Sequence, residues 1–253
     1  MVQVDVYLTP EEFLPENLRD RMAITIDVLR ASTTLTTALN NGCSQIIPVA
    51  EVETARALVR QQSKSTTLLC GERGGRRISG FHLGNSPREY TSEVVRNKTL
   101  IFTSTNGSRL LTRTKFAESS SIASFLNAEI VTQHLLNSKN EVAILCAGKE
   151  DKFSLEDTVC AGLFVAKLFE VQHEALVMND AALAAMVLYN RFGHDLHKLL
   201  RISSHGRYLR SIGLGDDLVI CANLNSVNIF PVFKGGILSL HKSLEQDEKN
   251  ILR

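Results

Sequence analysis

Net charge is nearly absent from this chain: 28 lysines and arginines against 27 aspartates and glutamates leave a formal +1 over 253 residues. Without a long-range field, neither nucleic acid nor a membrane surface is an expected partner, and any anion site must be local. No apolar stretch approaches the ~20 residues that a membrane span requires. Cys-x-x-Cys pairs are missing too. The five cysteines, Cys43, Cys70, Cys146, Cys160 and Cys221, are odd in number and widely spaced, which argues against a zinc site and for reduced thiols in a cytoplasm. The first residues, Met1-Val-Gln-Val-Asp-Val-Tyr7, show no basic segment followed by a long apolar core, so no secretory signal is expected. The G-x-x-x-x-G-K-[ST] loop of nucleotide sites and the G-x-G-x-x-G turn of dinucleotide sites are also lacking, which removes two common assignments.

What remains is an ordinary globular composition, 44% hydrophobic and 22% charged, in a chain long enough to bury a substantial core. The organising stretch is 24–43, where the apolar, β-branched run Ile24-Thr-Ile-Asp27 stops and a helical pattern begins near Ser32. Strand, polar loop and helix follow one another. Asp27, Arg30, Ser32 and Thr33 then lie where the first free N–H groups of a helix point, a natural seat for an oxyanion.

The same unit recurs twice. Strand 99–103 leads through Ser104-Thr-Asn-Gly-Ser108 into a helix at 109–114, and strand 141–146 leads through Ala147-Gly-Lys149 and Ser154-Leu-Glu-Asp157 into a helix at 158–169. Further strands are expected at 2–8, 45–50, 67–70, 119–125, 217–221 and 229–233, and helices at 51–62, 87–95, 127–136, 180–192 and 194–201. Thr9-Pro-Glu-Glu12 reads as a capping box. Alternation of this kind predicts an α/β fold with a mixed or mainly parallel sheet layered with helices, and ligands at the carboxyl ends of the strands. No linker divides the chain, so 1–240 is one domain, which could comprise two similar α/β halves meeting near 95–120; 241–253 is a charged C-terminal tail.

Phosphate chemistry at neutral pH calls for a hard cation held by one or two carboxylates. Asp27, Glu72, Glu156 and Asp157 are the candidates; Glu156 and Asp157 also suit the first turn of a helix. Thr105, Asn106 and Gly107 can cradle an anion with hydroxyl, amide and backbone donors. The stretch 71–87 holds five glycines and three arginines, Arg73, Arg76 and Arg77, and an irregular segment of that length is usually functional. Within it, Cys70 and Arg76 have the C-x5-R spacing of cysteine-dependent phosphatases. The Asp-x-Asp loop of haloacid-dehalogenase-like phosphatases does not occur. Among seven scattered histidines, His205 has the companions of a general acid, with His82 as the second candidate.

Several blocks together carry a resemblance: Ile26-Asp-Val-Leu-Arg-Ala-Ser-Thr-Thr34, Gly71-Glu-Arg73 with Gly80-Phe-His-Leu-Gly-Asn-Ser-Pro87, Thr105-Asn-Gly107, and Cys146-Ala-Gly148 with Ser154-Leu-Glu-Asp157. In that order, over about 20–232, they resemble the 2-phosphosulfolactate phosphatase family. Two departures are Gly-Phe-His-Leu for Gly-Phe-Asp-Leu and Ser-Thr-Asn-Gly-Ser for Thr-Thr-Asn-Gly-Thr. The resemblance implies a Mg²⁺-dependent hydrolase of coenzyme M biosynthesis, acting on 2-phosphosulfolactate or a related small phosphorylated, sulfonated hydroxy acid. Joined to the reading above, it sets these expectations. Asp27 with Glu72, Glu156 or Asp157 holds Mg²⁺. Arg30, Ser32, Thr33, Asn85, Ser86, Thr105, Asn106, Gly107 and Gly148 bind the phosphoryl group, Arg73, Arg76 or Arg77 meets the sulfonate and carboxylate, and His205 protonates the leaving alkoxide. The competing readings are a Cys70/Arg76 phosphatase and a non-catalytic phosphate-ester-binding protein. A homodimer is expected for an enzyme of this size.

Overall fold

Strands covered on both faces appear in sequence as unbroken apolar runs rather than as alternation. The runs 22–26 and 142–146 are of this kind, and every residue in them is buried. The structure, a computed structural model, describes residues 2–138 and 140–240; the expected tail at 241–253 lies outside the described residues. Its strands are β1 (Val2–Tyr7), β2 (Arg21–Ile26), β3 (Gln45–Pro48), β4 (Thr67–Arg73), β5 (Arg76–Arg77), β6 (Thr99–Thr103), β7 (Ser119–Ala123), β8 (Glu141–Cys146), β9 (Leu176–Met178), β10 (Pro231–Lys234) and β11 (Ile237–Leu240). The helices are α1 (Ala31–Asn40), α2 (Val52–Arg60), α3 (Ser92–Val95), α4 (Gly107–Arg113), α5 (Ala128–Asn137), α6 (Leu155–Gln172), α7 (Asp180–Phe192), α8 (Leu196–Ile202), α9 (Ser204–Ser211) and α10 (Asp217–Cys221).

The strands form one mixed sheet in the order β5-β4-β6-β3-β11-β10-β7-β2-β8-β1-β9. Two parallel blocks, β4-β6-β3 and β7-β2-β8-β1-β9, are joined by the antiparallel hairpin β10–β11, through Phe233 opposite Ser120 and Leu238 opposite Ile46. These blocks answer to the two expected halves, but they are interleaved along the chain. After β2 the chain crosses over α1 to build β3, β4 and β6, then returns over α4 to build β7, β8 and β9. Only that second crossing falls within 95–120.

Helices cover both faces. Val159, Leu163 and Phe164 of α6 pack on Ile24, Ile26 and Ile144, while Leu110 of α4 packs with Ala23, Ala143 and Leu145 opposite. In the other block, Leu35 and Leu39 of α1 bury Ile46, Leu100 and Phe102. Helix α7 backs α6 at close range: a Cβ on Gly162 would stand 1.9 Å from the Ala185 carbonyl oxygen, so only glycine admits this approach.

Several elements differ from expectation. Residues 217–221 form α10, not a strand: 217, 218, 221 and 222 are buried while Val219 is exposed, a helical repeat that a five-residue apolar run does not reveal. The stretch after Cys70 begins as ordered strand, since β4 continues to Arg73 and turns back antiparallel as β5. Residues 87–95 split into a 3-10 turn, Pro87–Glu89, and α3, separated by the buried ring of Tyr90. Thr9 caps only a 3-10 turn without a side-chain bond, and Glu12 accepts the Leu8 N–H instead. His205 lies on helix α9.

Candidate active site

Beyond β2 the chain is stitched by hydroxyls. The Asp27 N–H donates to Ser32 Oγ at 2.9 Å, Ser32 Oγ donates to the Thr25 carbonyl at 3.3 Å, and Thr33 Oγ1 donates to the Val28 carbonyl at 2.9 Å. These bonds fix the entry to α1 with Arg30 at its N-cap. Ser32 and Thr33, expected to touch substrate, are consumed in holding this turn and do not border the cavity.

Two carboxylates clamp the neighbouring loops. Glu72 Oε1 accepts the Thr105 N–H and Oε2 the Gly75 N–H, each at 2.7 Å. Asp157 Oδ1 accepts the Val28 N–H at 2.8 Å and Oδ2 the Gly148 N–H at 3.1 Å. The loop after β6 reaches Asp27 through Gly107, where a Cβ would lie 2.5 Å from Asp27 Oδ2 and 2.6 Å from Ala31 Cβ. The two parallel blocks therefore meet at these three strand ends although β6 and β2 are not sheet neighbours.

A cavity of about 130 Å³ opens there. At the ~10–15 Å³ that one water requires, it suits a small phosphorylated acid better than a nucleotide. Of the expected residues, Asp27, Arg30, Glu72, Asn85, Thr105, Asn106 and His205 border it. Arg30 Nη1 donates to Asp217 Oδ2 at 2.7 Å and Nη2 to the Gly75 carbonyl at 2.6 Å, while Ser86 Oγ donates to Asp217 Oδ1 at 2.6 Å. Asn85 Oδ1 and Thr105 Oγ1 are buried and have no hydrogen-bond partner among the described residues. Sequence reasoning missed Lys149, Tyr208 and the Asp217 anchor. Lys149 Nζ stands 5.0 Å over the Tyr208 ring, whose hydroxyl donates to the Gly74 carbonyl at 2.9 Å. The signals were present: Lys149 directly follows Gly148 in the turn beyond β8, and Tyr208 lies one helical turn beyond His205.

Burial, then the charges of Glu72 and Glu156, push Asp27 up to about 7, against the Ala31 N–H that favours its ionised form. Burial likewise raises Glu156, and burial with Asp27 and Glu156 raises Asp157. The four carboxylates thus share one electrostatic neighbourhood. Among the described residues, however, no three of the His, Cys, Asp and Glu side chains are grouped to hold a metal ion.

His205 is held down at about 4 by burial first, then by Lys149 and Arg30. Its Nδ1 is 3.6 Å from Glu156 Oε1, too long for a hydrogen bond, so the pair does not overcome desolvation and His205 is neutral at pH 7. In metal-free protein this fixes a sign. Between pH 6.5 and about 4 the unfolded chain binds a proton that the folded chain refuses, so this contribution to stability is present above 6.5 and lost on acidification. Wild type should therefore lose stability relative to His205→Asn over that interval, by on the order of 2–3 kcal/mol at 1.36 kcal/mol per unit. Urea unfolding of both proteins in EDTA checks this; parallel pH profiles would refute it.

Other expected residues lie elsewhere. Arg73 is spent on the Ala50 carbonyl and Thr103 Oγ1, both at 3.0 Å. Arg76 and Arg77 are exposed on β5, and Arg77 reaches the His82 carbonyl. None of the three borders the cavity. Ser86 and Gly107 act one step behind it, through Asp217 and Asp27. Gly148 turns the chain at φ 67°, and Glu156 borders a separate depression beside His205. His82 Nδ1 accepts the Leu69 N–H at 2.9 Å on a cleft lined by Arg56 and Lys64, which removes it as a proton donor here. Cys70 is fully buried beside Tyr90 and Phe102, and burial drives its thiol far up. Without a thiolate or access to the cavity, the Cys70/Arg76 phosphatase has no structural basis.

Fixed cations for anionic oxygens, facing a carboxylate with no salt-bridge partner among the described residues, meet what cleavage of a phosphate ester asks of a protein, and this chain is a phosphoric monoester hydrolase. Residues 7–236 match the family model described as 2-phosphosulpholactate phosphatase, and the chain belongs to that family. Proteins named probable 2-phosphosulfolactate phosphatase are similar throughout. That of Symbiobacterium thermophilum is 43% identical over 221 residues, 87% of this chain and 94% of its own length. That of Caldicellulosiruptor saccharolyticus is 38% identical over 229 residues, 88% and 93%, and that of Caldanaerobacter subterraneus subsp. tengcongensis 36% over 235 residues, 93% and 97%.

The contact at Gly107 supplies a local test. Gly107→Ala should cost about 1–3 kcal/mol of stability by overpacking and about 10²-fold in phosphate release by displacing Asp27. Thermal unfolding and a phosphate assay would read the two effects, and full activity would detach Asp27's position from the reaction.

Proposed function

We propose that the chain hydrolyses 2-phosphosulfolactate, or a closely related phosphorylated hydroxy acid, to the free hydroxy acid and phosphate. One observation carries this reading: Asp27, Arg30, Lys149 and His205 converge on one small cavity whose wall also holds unpartnered Asn85 Oδ1 and Thr105 Oγ1. Those orphaned oxygens and the Asp27 carboxylate are hard donors, the type Mg²⁺ prefers, and Mg²⁺ needs only one or two carboxylates beside water and phosphate oxygens. Asp27 would hold the ion, with Glu72 and Glu156 adding negative charge nearby; Asp157 and both Glu72 oxygens are already taken by backbone N–H groups. When bound, Mg²⁺ supplies charge neutralisation at the phosphoryl oxygens.

The chain's own groups divide the remaining work. Arg30, fixed by Asp217 and Gly75, presents its guanidinium to phosphoryl oxygens, and Lys149 meets the substrate's carboxylate or sulfonate. Water attacks phosphorus while the bond to the alkoxide oxygen breaks; one of the water's two protons leaves on the phosphate and the other passes through His205 to the alkoxide. His205 accepts a hydrogen bond from that water while neutral. Burial first, then Lys149 and Arg30, hold the proton affinity of His205 down; the phosphate dianion offsets the two cations, and His205 can then carry the water's second proton to the alkoxide. The resemblance supports placing this step in coenzyme M biosynthesis in the cytoplasm.

Phosphate release from racemic 2-phosphosulfolactate and a panel of phosphorylated hydroxy acids, with Mg²⁺, with EDTA and after iodoacetamide, tests the reading. Turnover should require Mg²⁺ and survive alkylation. Turnover with another ester alone would reassign the substrate, and turnover in EDTA would remove the metal.

A further inference from the structure

The outer face of α7 has no partner among the described residues. Its positions i, i+3, i+4, i+7 and i+11 are Asp180, Leu183, Ala184, Val187 and Arg191, all exposed and all on one side of the helix. Leu183 is 48% and Val187 58% exposed. No charged residue stands between Asp180 and Arg191. The opposite face, with Ala182 and Ala185, is closed against α6, so the helix is apolar on both sides. A helix of that kind belongs between two layers.

We infer that this face is a homodimer interface in which α7 packs antiparallel on α7 of a second copy, about a two-fold axis passing between Ala185 and Met186. Charge and register choose a second copy over an unrelated partner. Asp180 and Arg191 are three turns apart and share the apolar stripe's azimuth, so one two-fold axis sets Asp180 of each copy against Arg191 of the other at both ends. The same axis sets Ala184 against Val187 in the centre, where the small Ala184 lets the helices approach, with Leu183 flanking them. Antiparallel packing also aligns each helix dipole with the opposite end of its neighbour, and an isologous contact closes on itself without leading to fibres.

Light scattering after size exclusion should give twice the 28.0 kDa chain mass. Val187→Asp should shift dimer dissociation at least tenfold upward in concentration, with far-UV dichroism and phosphate release retained as evidence of folding. Asp180→Arg and Arg191→Asp bring like charges together at both ends of their own homodimers, so each alone should be monomeric. Mixed in equal amounts they should dimerise, because every end then pairs opposite charges. A monomeric wild type, a dimer indifferent to Val187→Asp, or a mixture that stays monomeric would each overturn the inference, the last by excluding this register.

Discussion

Asp27→Asn should abolish phosphate release while leaving the metal-free protein at least as stable as wild type. Asparagine keeps an oxygen for the Ala31 N–H but removes the charge that a cation, and through it the phosphoryl group, requires; the expected loss is about 10³-fold or more. Stability moves the other way. The Asp27 carboxylate is desolvated and faces Glu72 and Glu156, so its folded-state value of about 7 lies above the ordinary 3.8. The folded protein binds a proton there that the unfolded chain has released, and stability falls as pH rises from about 4 to about 7. Asparagine escapes that loss, a gain on the order of 2–4 kcal/mol above pH 7 at 1.36 kcal/mol per unit. Thermal unfolding in EDTA at pH 5 and pH 8, beside a phosphate assay in Mg²⁺, reads both effects. An inactive variant that is also less stable at pH 8 would make Asp27 a structural carboxylate.

What the sequence showed, and what it hid, follows from the range of the physics involved. The units β2–α1, β6–α4 and β8–α6 could be read because each is an apolar run, a polar turn and a helical period contiguous in the chain. Asp27, Arg30, Thr105 and Asn106 were found at those turns because ligands collect at the carboxyl ends of strands, and Asn85 in the block Gly80–Pro87 that carries the family resemblance. Direction was not available. The hydroxyls of Ser32 and Thr33 turn back to the carbonyls of Thr25 and Val28, and Arg73 turns to Ala50 and Thr103. Gly71 read as the start of a loop; it is a strand residue at φ +151°, where a Cβ would stand 2.1 Å from the Thr103 carbonyl oxygen. Asp217 was hidden most completely, because Leu-Val-Ile-Cys fits a strand as well as a helix, and its partner Arg30 is remote in sequence.

That partnership gives the second large effect. Arg30 and Asp217 are both 2% exposed at 2.7 Å, and Ser86 and the Gly75 carbonyl complete their hydrogen bonds. Asp217→Ala strands a guanidinium in a desolvated site and should cost about 3–5 kcal/mol. Phosphate release should fall by about 10²-fold, since Arg30 then swings on a single hydrogen bond. Arg30→Lys is no milder for chemistry: one ammonium cannot reach Asp217 and the Gly75 carbonyl in the guanidinium's fork geometry while facing a phosphate. The pair Arg30→Met with Asp217→Leu separates fold from function. Removing both charges should restore stability to within about 1–2 kcal/mol of wild type, the remainder reflecting the Ser86 hydroxyl left without its acceptor, yet activity should stay at the level of Arg30→Met alone. Equilibrium unfolding of the singles and the double closes the cycle. A double variant as unstable as Asp217→Ala would show that the destabilisation does not come from the stranded charge, and one that recovered turnover would take Arg30 out of the reaction. The expected split, stability regained and turnover lost, would mean that this buried pair is kept for the orientation it gives one guanidinium rather than for the energy it adds to the fold.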